Sequence, residues 1–141
     1  LNQQPQIPPG KVKDFLKLIF GFENHKLLSD TSHQSFYYFN NQLCKNKKLD
    51  HLDTSNLSGG EIQILQLCLG LVLCQEILIL DEAFSSIDRS TQHKAEELVF
   101  NWLNQDKTQR SLIFTSHQPE LSQLKAHLKY VMVNGALKLL N

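Results

Sequence analysis

Residues 57–88, LSGGEIQILQLCLGLVLCQEILILDEAFSSID, constrain the fold more tightly than any other stretch of the chain. Ser58, Gly59 and Gly60 put a side-chain cap and two permissive backbones where a helix begins. Free N–H groups and the positive end of the helix dipole then face outward and favour an anion, most naturally phosphate. Ile62, Leu65, Leu69 and Leu73, with an opposite face that is also largely apolar, predict a helix buried nearly all round. Ile77, Leu78, Ile79 and Leu80 follow as an unbroken apolar run, the pattern of a strand covered on both faces of a parallel sheet. Asp81 and Glu82 stand at its C-terminal end, the edge at which open α/β sheets place their ligands. Because strand side chains alternate, the two acids are expected to face different directions, one toward a metal ion and one toward a water.

At 141 residues the chain makes one domain or a piece of one. Its 14 basic and 14 acidic residues balance, so no field draws it to nucleic acid or to an anionic membrane. The Lys45, Lys47, Lys48 cluster reads as a solvated loop. Cys44, Cys68 and Cys74 are odd in number and without C-x-x-C spacing, as expected of small buried hydrophobes in a reducing compartment. The six histidines have no ligand spacing, which argues against a structural metal. Gln66, Gln75 and Glu76 interrupt the most apolar stretch, residues 64–80, and it falls short of the roughly 20 apolar residues that span a bilayer. No direct membrane insertion is expected. A start at Leu1 rather than Met suggests a segment cut from something longer, or a start that was not recorded.

Pro8 and Pro9 favour an extended N-terminal loop. Val12, Phe15, Leu16, Ile19 and Phe20 recur at helical spacing up to Gly21. Phe36, Tyr37, Phe39 and Leu43 mark a second amphipathic segment over 35–43, whose aromatics read as core rather than as a binding platform. Residues 49–56 are polar and turn-forming. Ala95, Leu98, Val99 and Trp102 give a helix over 91–103 that covers one face of the sheet. Residues 111–115 form the next strand, with Ser116 and His117 again on the ligand edge. A short helix over 119–128 leads to strands at 130–133 and 136–140, joined at Asn134-Gly135 by a type I′ turn.

LSGGE, ILILDE, Ser85-Ser86-Ile87-Asp88 and Thr115-Ser116-His117, in this order, resemble the signature, Walker B, D-loop and switch-histidine motifs of the ATP-binding cassette (ABC) ATPases. The resemblance spans residues 57–117. It extends to the N-terminus, where the spacing Q-x-P-x-x-P-x-G-x-V from Gln3 to Val12 is similar to the Q-loop, with Gln4 as the alternative glutamine. It implies an α/β fold: a partial P-loop NTPase core of ABC type, with a parallel sheet plus a helical subdomain. Residues 1–141 would be one partial ABC ATPase domain, with the helical subdomain at about 11–56. The signature helix, Walker B, D-loop, H-loop and C-terminal hairpin would occupy about 57–141. By resemblance, Glu82, His117 and Gln3 are catalytic, and Asp81 and Gln3 hold Mg²⁺. Ser58, Gly59, Gly60 and Glu61 would bind the nucleotide of an opposite subunit, and Ser86 and Asp88 would lie at the contact between subunits.

No G-x-x-x-x-G-K-[ST] phosphate loop occurs in the sequence. The resemblance therefore implies the C-terminal part of a cassette that hydrolyses ATP with Mg²⁺ in its full-length context and is inactive alone. Implied partners are a second cassette, paired head to tail, and a transmembrane domain touched by the helical subdomain. That places the protein at the cytoplasmic face of the inner or plasma membrane, with no nucleic acid expected. Glu61, where transporters more often have glutamine, and the arginine-free helix after it are also similar to SMC-type and DNA-repair ATPases. Against these, the segment from Gln3 to Leu57 is too short for their long coiled coil and has no heptads, and the Q-loop spacing favours a transporter. A non-catalytic remnant acting as an interaction module is the third alternative.

Overall fold

A computed structural model describes residues 7–20, 52–74, 76–104, 109–117 and 126–140. In chain order these form α1 (Val12–Phe20), a 3-10 turn (Thr54–Asn56), α2 (Gly59–Leu73), β1 (Ile77–Asp81), α3 (Arg89–Asn104), β2 (Ser111–Thr115), β3 (Lys129–Val133) and β4 (Ala136–Leu140). Gln3, Gln4, Cys44, the lysine cluster, the aromatic segment 35–43 and most of the helix expected over 119–128 lie outside the described residues.

α2 is the hub of the core. Its apolar residues go all round, so it buries Ile64, Leu65, Leu67, Cys68, Leu69 and Leu71 against several neighbours at once. Val12 and Leu16 from α1, Leu78 and Leu80 from β1, and Ala95, Leu98, Val99 and Trp102 from α3 join the same cluster. Burial of each full-sized aliphatic side chain contributes about 1.5–3 kcal/mol. Cys68 behaves as a core hydrophobe: desolvation pushes its thiol up to about 12. Leu73 departs from the expected all-round burial, being exposed in the last residue of the helix, beside the extended cap residue Cys74.

β1 and β2 pair in parallel, from Ile77 opposite Ser111 to Asp81 opposite Thr115, with α3 in the connection between them. The expectation of a strand covered on both faces is not met. Leu78 and Leu80 are buried, whereas Ile77 and Ile79 are 57% and 68% exposed. Leu78 and Leu80 belong to the cluster that contains the α2 and α3 core residues, and no described element covers the opposite face. In the β3–β4 hairpin, Val133 pairs with Ala136, and Asn134 (φ 50) and Gly135 (φ 77) both take the left-handed backbone of a type I′ turn, as the sequence predicts.

The lead-in to α2 is fastened to the segment ahead of α1. Thr54 is buried; its Oγ1 donates to Pro8 O (2.8 Å) and accepts from Gly10 N–H (3.0 Å). Backbone bonds from Thr54 N–H to Gly10 O (2.8 Å) and from Val12 N–H to Leu52 O (2.9 Å) complete the clasp. Asp53 caps the 3-10 turn by accepting from Ser55 N–H and Oγ, and the Ser55 hydrogen bonds hold its carboxyl below the usual range.

Candidate functional site

The in-register pairing of β1 with β2 brings two strand ends side by side, and the chemistry at that edge follows from it. Thr115 Oγ1 donates to Asp81 Oδ1 (2.6 Å) and accepts from Glu82 N–H (3.0 Å), so one hydroxyl from β2 orients both acidic residues at the end of β1. Thr115 enters the sequence only as the first residue of the switch motif; the signal for its role is the parallel pairing itself. Glu82 has φ 48, a backbone region that costs a non-glycine residue on the order of 1–3 kcal/mol. Its bonds to Thr115 and from Ser85 N–H to Glu82 O (3.0 Å) hold it there. Strand alternation therefore does not explain how the two acids diverge, as the sequence suggested. Asp81 ends the strand and Glu82 has already turned out of it. The Glu82 carboxylate meets the imidazole of His117, Oε1 to Nε2 at 2.5 Å, with His117 almost fully exposed.

At the start of α2, Ser58 and Glu61 close a reciprocal cap. Ser58 N–H and Oγ donate to Glu61 Oε2 (2.7 and 2.8 Å), and Glu61 N–H donates to Ser58 Oγ (3.3 Å). Glu61, expected to address a nucleotide, is engaged locally. The two glycines differ. A Cβ at Gly59 would meet nothing within 4 Å, so its surface is open to an approaching group. At Gly60 a Cβ would lie 2.9 Å from Ser86 O and 3.2 Å from Ile87 Cγ2. The sequence attributes both glycines to phosphate approach, but Gly60 has a reason within the chain: the turn after Glu82 packs on it. That turn is also held by Gln63, whose Oε1 accepts from Ser86 N–H (3.1 Å) and whose Nε2 donates to Ser85 Oγ (3.3 Å). Gln63 gave no sequence signal beyond being a polar residue in an apolar helix.

Asp88 caps α3: its carboxylate accepts from Thr91 N–H (3.0 Å) and Thr91 Oγ1 (2.5 Å). The Thr91 side-chain bond, followed by its backbone bond, holds the Asp88 carboxyl below its usual range. The structure thus draws Asp81, Glu82 and His117 together, and joins Gly60 of the helix start to Ser86. Gln3 lies outside the described residues. For a divalent cation, the donor on offer is the exposed Asp81 carboxylate, whose Oδ1 is oriented by Thr115. Among the described residues, no group of three or more His, Cys, Asp or Glu side chains is arranged to cage a metal. A single oriented carboxylate is a donor that suits Mg²⁺, which keeps most of its waters and completes its shell with substrate phosphates.

A family model described as "AAA domain, putative AbiEii toxin, Type IV TA system" matches residues 2–122. Similar proteins include the lipoprotein-releasing system ATP-binding protein LolD of Protochlamydia amoebophila, 32% identical over 62% of this chain and 37% of that protein. The ABC transporter ATP-binding protein YtrE of Bacillus subtilis is 30% identical over 96% of this chain and 46% of its own length. The ABC transporter ced-7 of Caenorhabditis elegans is 26% identical over 89% of this chain and 7% of its own. The chain spans less than half of each of these relatives. Matched by the AAA-domain model over most of its length and related throughout to ABC ATP-binding proteins, the chain belongs to this ATPase family as sequence of an ABC-type nucleotide-binding domain.

Proposed function

We propose that this chain is the C-terminal part of an ABC transporter ATPase, which couples ATP binding and hydrolysis at a head-to-tail dimer interface to transport across a membrane. The observation that carries the proposal is the grouping of Asp81, Glu82, Thr115 and His117 at the C-terminal edge of the parallel β1–β2 pair. Bound Mg²⁺ supplies neutralisation of the charge that develops on the transferring phosphoryl group. Asp81 would hold the hydrated ion, with Gln3 as a further ligand. Glu82 accepts a hydrogen bond from the water that attacks the terminal phosphorus and takes its proton as the bond to ADP breaks. His117 orients Glu82 and, released from it, contacts the phosphate.

In the same proposal, Ser58, Gly59, Gly60 and Glu61 face the nucleotide of a second cassette, to which the open surface at Gly59 is suited. Ser86 and Asp88 lie near that contact. The phosphate loop that cradles the nucleotide is supplied by cassette sequence beyond these residues, so the 141-residue chain alone does not turn ATP over. The region at about 11–56 meets a transmembrane domain, and the assembly sits at the cytoplasmic face of that membrane. Among the described residues, no helix is long and apolar enough to cross a bilayer.

Glu82→Gln in the full-length protein is the test. A positioned general base contributes on the order of 100- to 10,000-fold. ATP turnover should fall by about that factor, while ATP-dependent dimerisation, followed by light scattering, persists. Turnover at the wild-type rate would remove Glu82 from the chemistry and the proposal with it.

A further inference from the structure

We propose that Gln63 is a positioning residue that latches the first turns of α2 to the loop after Glu82, so that the helix start and the proposed base move as one body. The inference rests on the role assigned above to Glu82.

In the loop from Glu82 to Asp88, Ala83, Phe84 and Ile87 pack against the core, whereas Ser85 and Ser86 are exposed. Among the described residues, its own backbone gives Ser85 N–H to Glu82 O at 3.0 Å and a long Ile87 N–H to Phe84 O contact at 3.5 Å. Gln63 adds what this loop cannot make for itself. Its carboxamide spans two consecutive residues, accepting from Ser86 N–H and donating to Ser85 Oγ. A carboxamide offers an acceptor and a donor on one planar group. One helical turn earlier on the same face, Gly60 lets Ser86 O come so close that a methyl group would meet it at 2.9 Å. Ser86 is thus fixed on both of its polar backbone sides by α2, its carbonyl packed on Gly60 and its N–H held by Gln63.

The consequence runs back to the acid. Ser85, whose side chain Gln63 holds, donates its N–H to Glu82 O, and Glu82 sits in a left-handed backbone that its neighbours must maintain. A displacement of α2 is therefore carried through Gln63 and Ser85 to Glu82 over a few bonded contacts. The start of α2 would report a nucleotide on one side, and Glu82 would respond on the other. Gln63 touches neither, and acts only through the loop.

The test compares Gln63→Leu, Gln63→Met and Gln63→Glu in the full-length protein. Leu and Met keep the volume and lose both bonds; Glu keeps the acceptor for Ser86 N–H. A misplacement of about 1 Å in a catalytic group costs on the order of 100-fold. Q63L and Q63M should therefore lower kcat by about 10- to 100-fold with KM for ATP within about twofold of wild type. Q63E should recover most of the loss. Amide exchange at Ser86, measured by mass spectrometry, should accelerate at least about tenfold in Q63L and Q63M and little in Q63E. Wild-type kcat in Q63M, equal losses in Q63M and Q63E, or unchanged Ser86 exchange would each overturn the latch. If Q63L does not fold, Q63M and Q63E carry the comparison, and wild-type kcat in E82Q identifies a failure of the catalytic reading instead.

Discussion

Thr54→Val is the sharpest test of how the segment ahead of α1 is tied to the start of α2. Valine matches threonine in shape, so the substitution removes a hydroxyl and little else. That hydroxyl serves Pro8 O at 2.8 Å and Gly10 N–H at 3.0 Å, and Thr54 is only 4% exposed. Each bond contributes about 1 kcal/mol net, and a donor left without a partner adds about 1 kcal/mol or more. Pro8 is exposed and its carbonyl can return to water, whereas Gly10 is half-buried and its N–H is the group left stranded. The expected loss is about 2–3 kcal/mol, or roughly 5–10 °C in Tm for a domain of this size. Thr54→Ser keeps both bonds and loses one methyl group, about 1 kcal/mol. Calorimetry on the two variants should therefore rank them wild type, Ser, Val, and exchange of the Gly10 amide should accelerate in the valine variant alone. Equal Tm values for Val and wild type, or a serine variant as unstable as the valine one, would refute the clasp.

Two further outcomes follow from packing and capping. Gly60→Ala drives a methyl into Ser86 O at 2.9 Å and should destabilise by about 1–3 kcal/mol, the usual range for overpacking, whereas Gly59→Ala, with nothing within 4 Å, should leave Tm nearly unchanged; equal effects at both positions would show that Gly60 does not carry the loop. Because the Asp88 carboxyl titrates below its ordinary 3.8 in the folded chain, its contribution is complete above that value and is lost as pH falls through the depressed one. Asp88→Ala should then lower Tm at neutral pH, with the gap to wild type closing in strong acid; a gap independent of pH would contradict the Thr91 hydrogen bonds as its source.

The parts of the fold legible in the sequence are those that short-range pattern determines. α1 ends where its apolar spacing ends, α2 begins at its Ser58 cap, and Asn134-Gly135 makes the turn its two positive φ values demand. What was not legible depends on residues far apart in the chain. Thr54 sits between Asp53 and Ser55 in a polar, turn-forming stretch, yet it is buried because Pro8 and Gly10, some 44 to 46 residues away, supply its partners. Ile77 and Ile79 read as core because an apolar run carries no record of which face its neighbours cover. The site divides the same way. Asp81, Glu82 and His117 stood out by type and position, while Thr115 and Gln63, which hold them or their loop in place, are ordinary residues until the tertiary contacts are known.

That division explains why the acid pair is oriented from β2 rather than from its own strand. A threonine hydroxyl has one hydrogen to give and lone pairs to accept with, and Thr115 uses both: the hydrogen goes to Asp81 and a lone pair takes Glu82 N–H. The two acids are therefore not independent. Donation to Asp81 fixes the hydroxyl rotor, and the fixed rotor aims its lone pair at the Glu82 amide, which helps to hold a backbone that glutamate would otherwise leave. Any shift between β1 and β2 changes the proposed metal ligand and the proposed base together. Parallel pairing in register, Asp81 opposite Thr115, is thus more than the scaffold beneath the site, since it sets the angle between the two groups on which hydrolysis would depend.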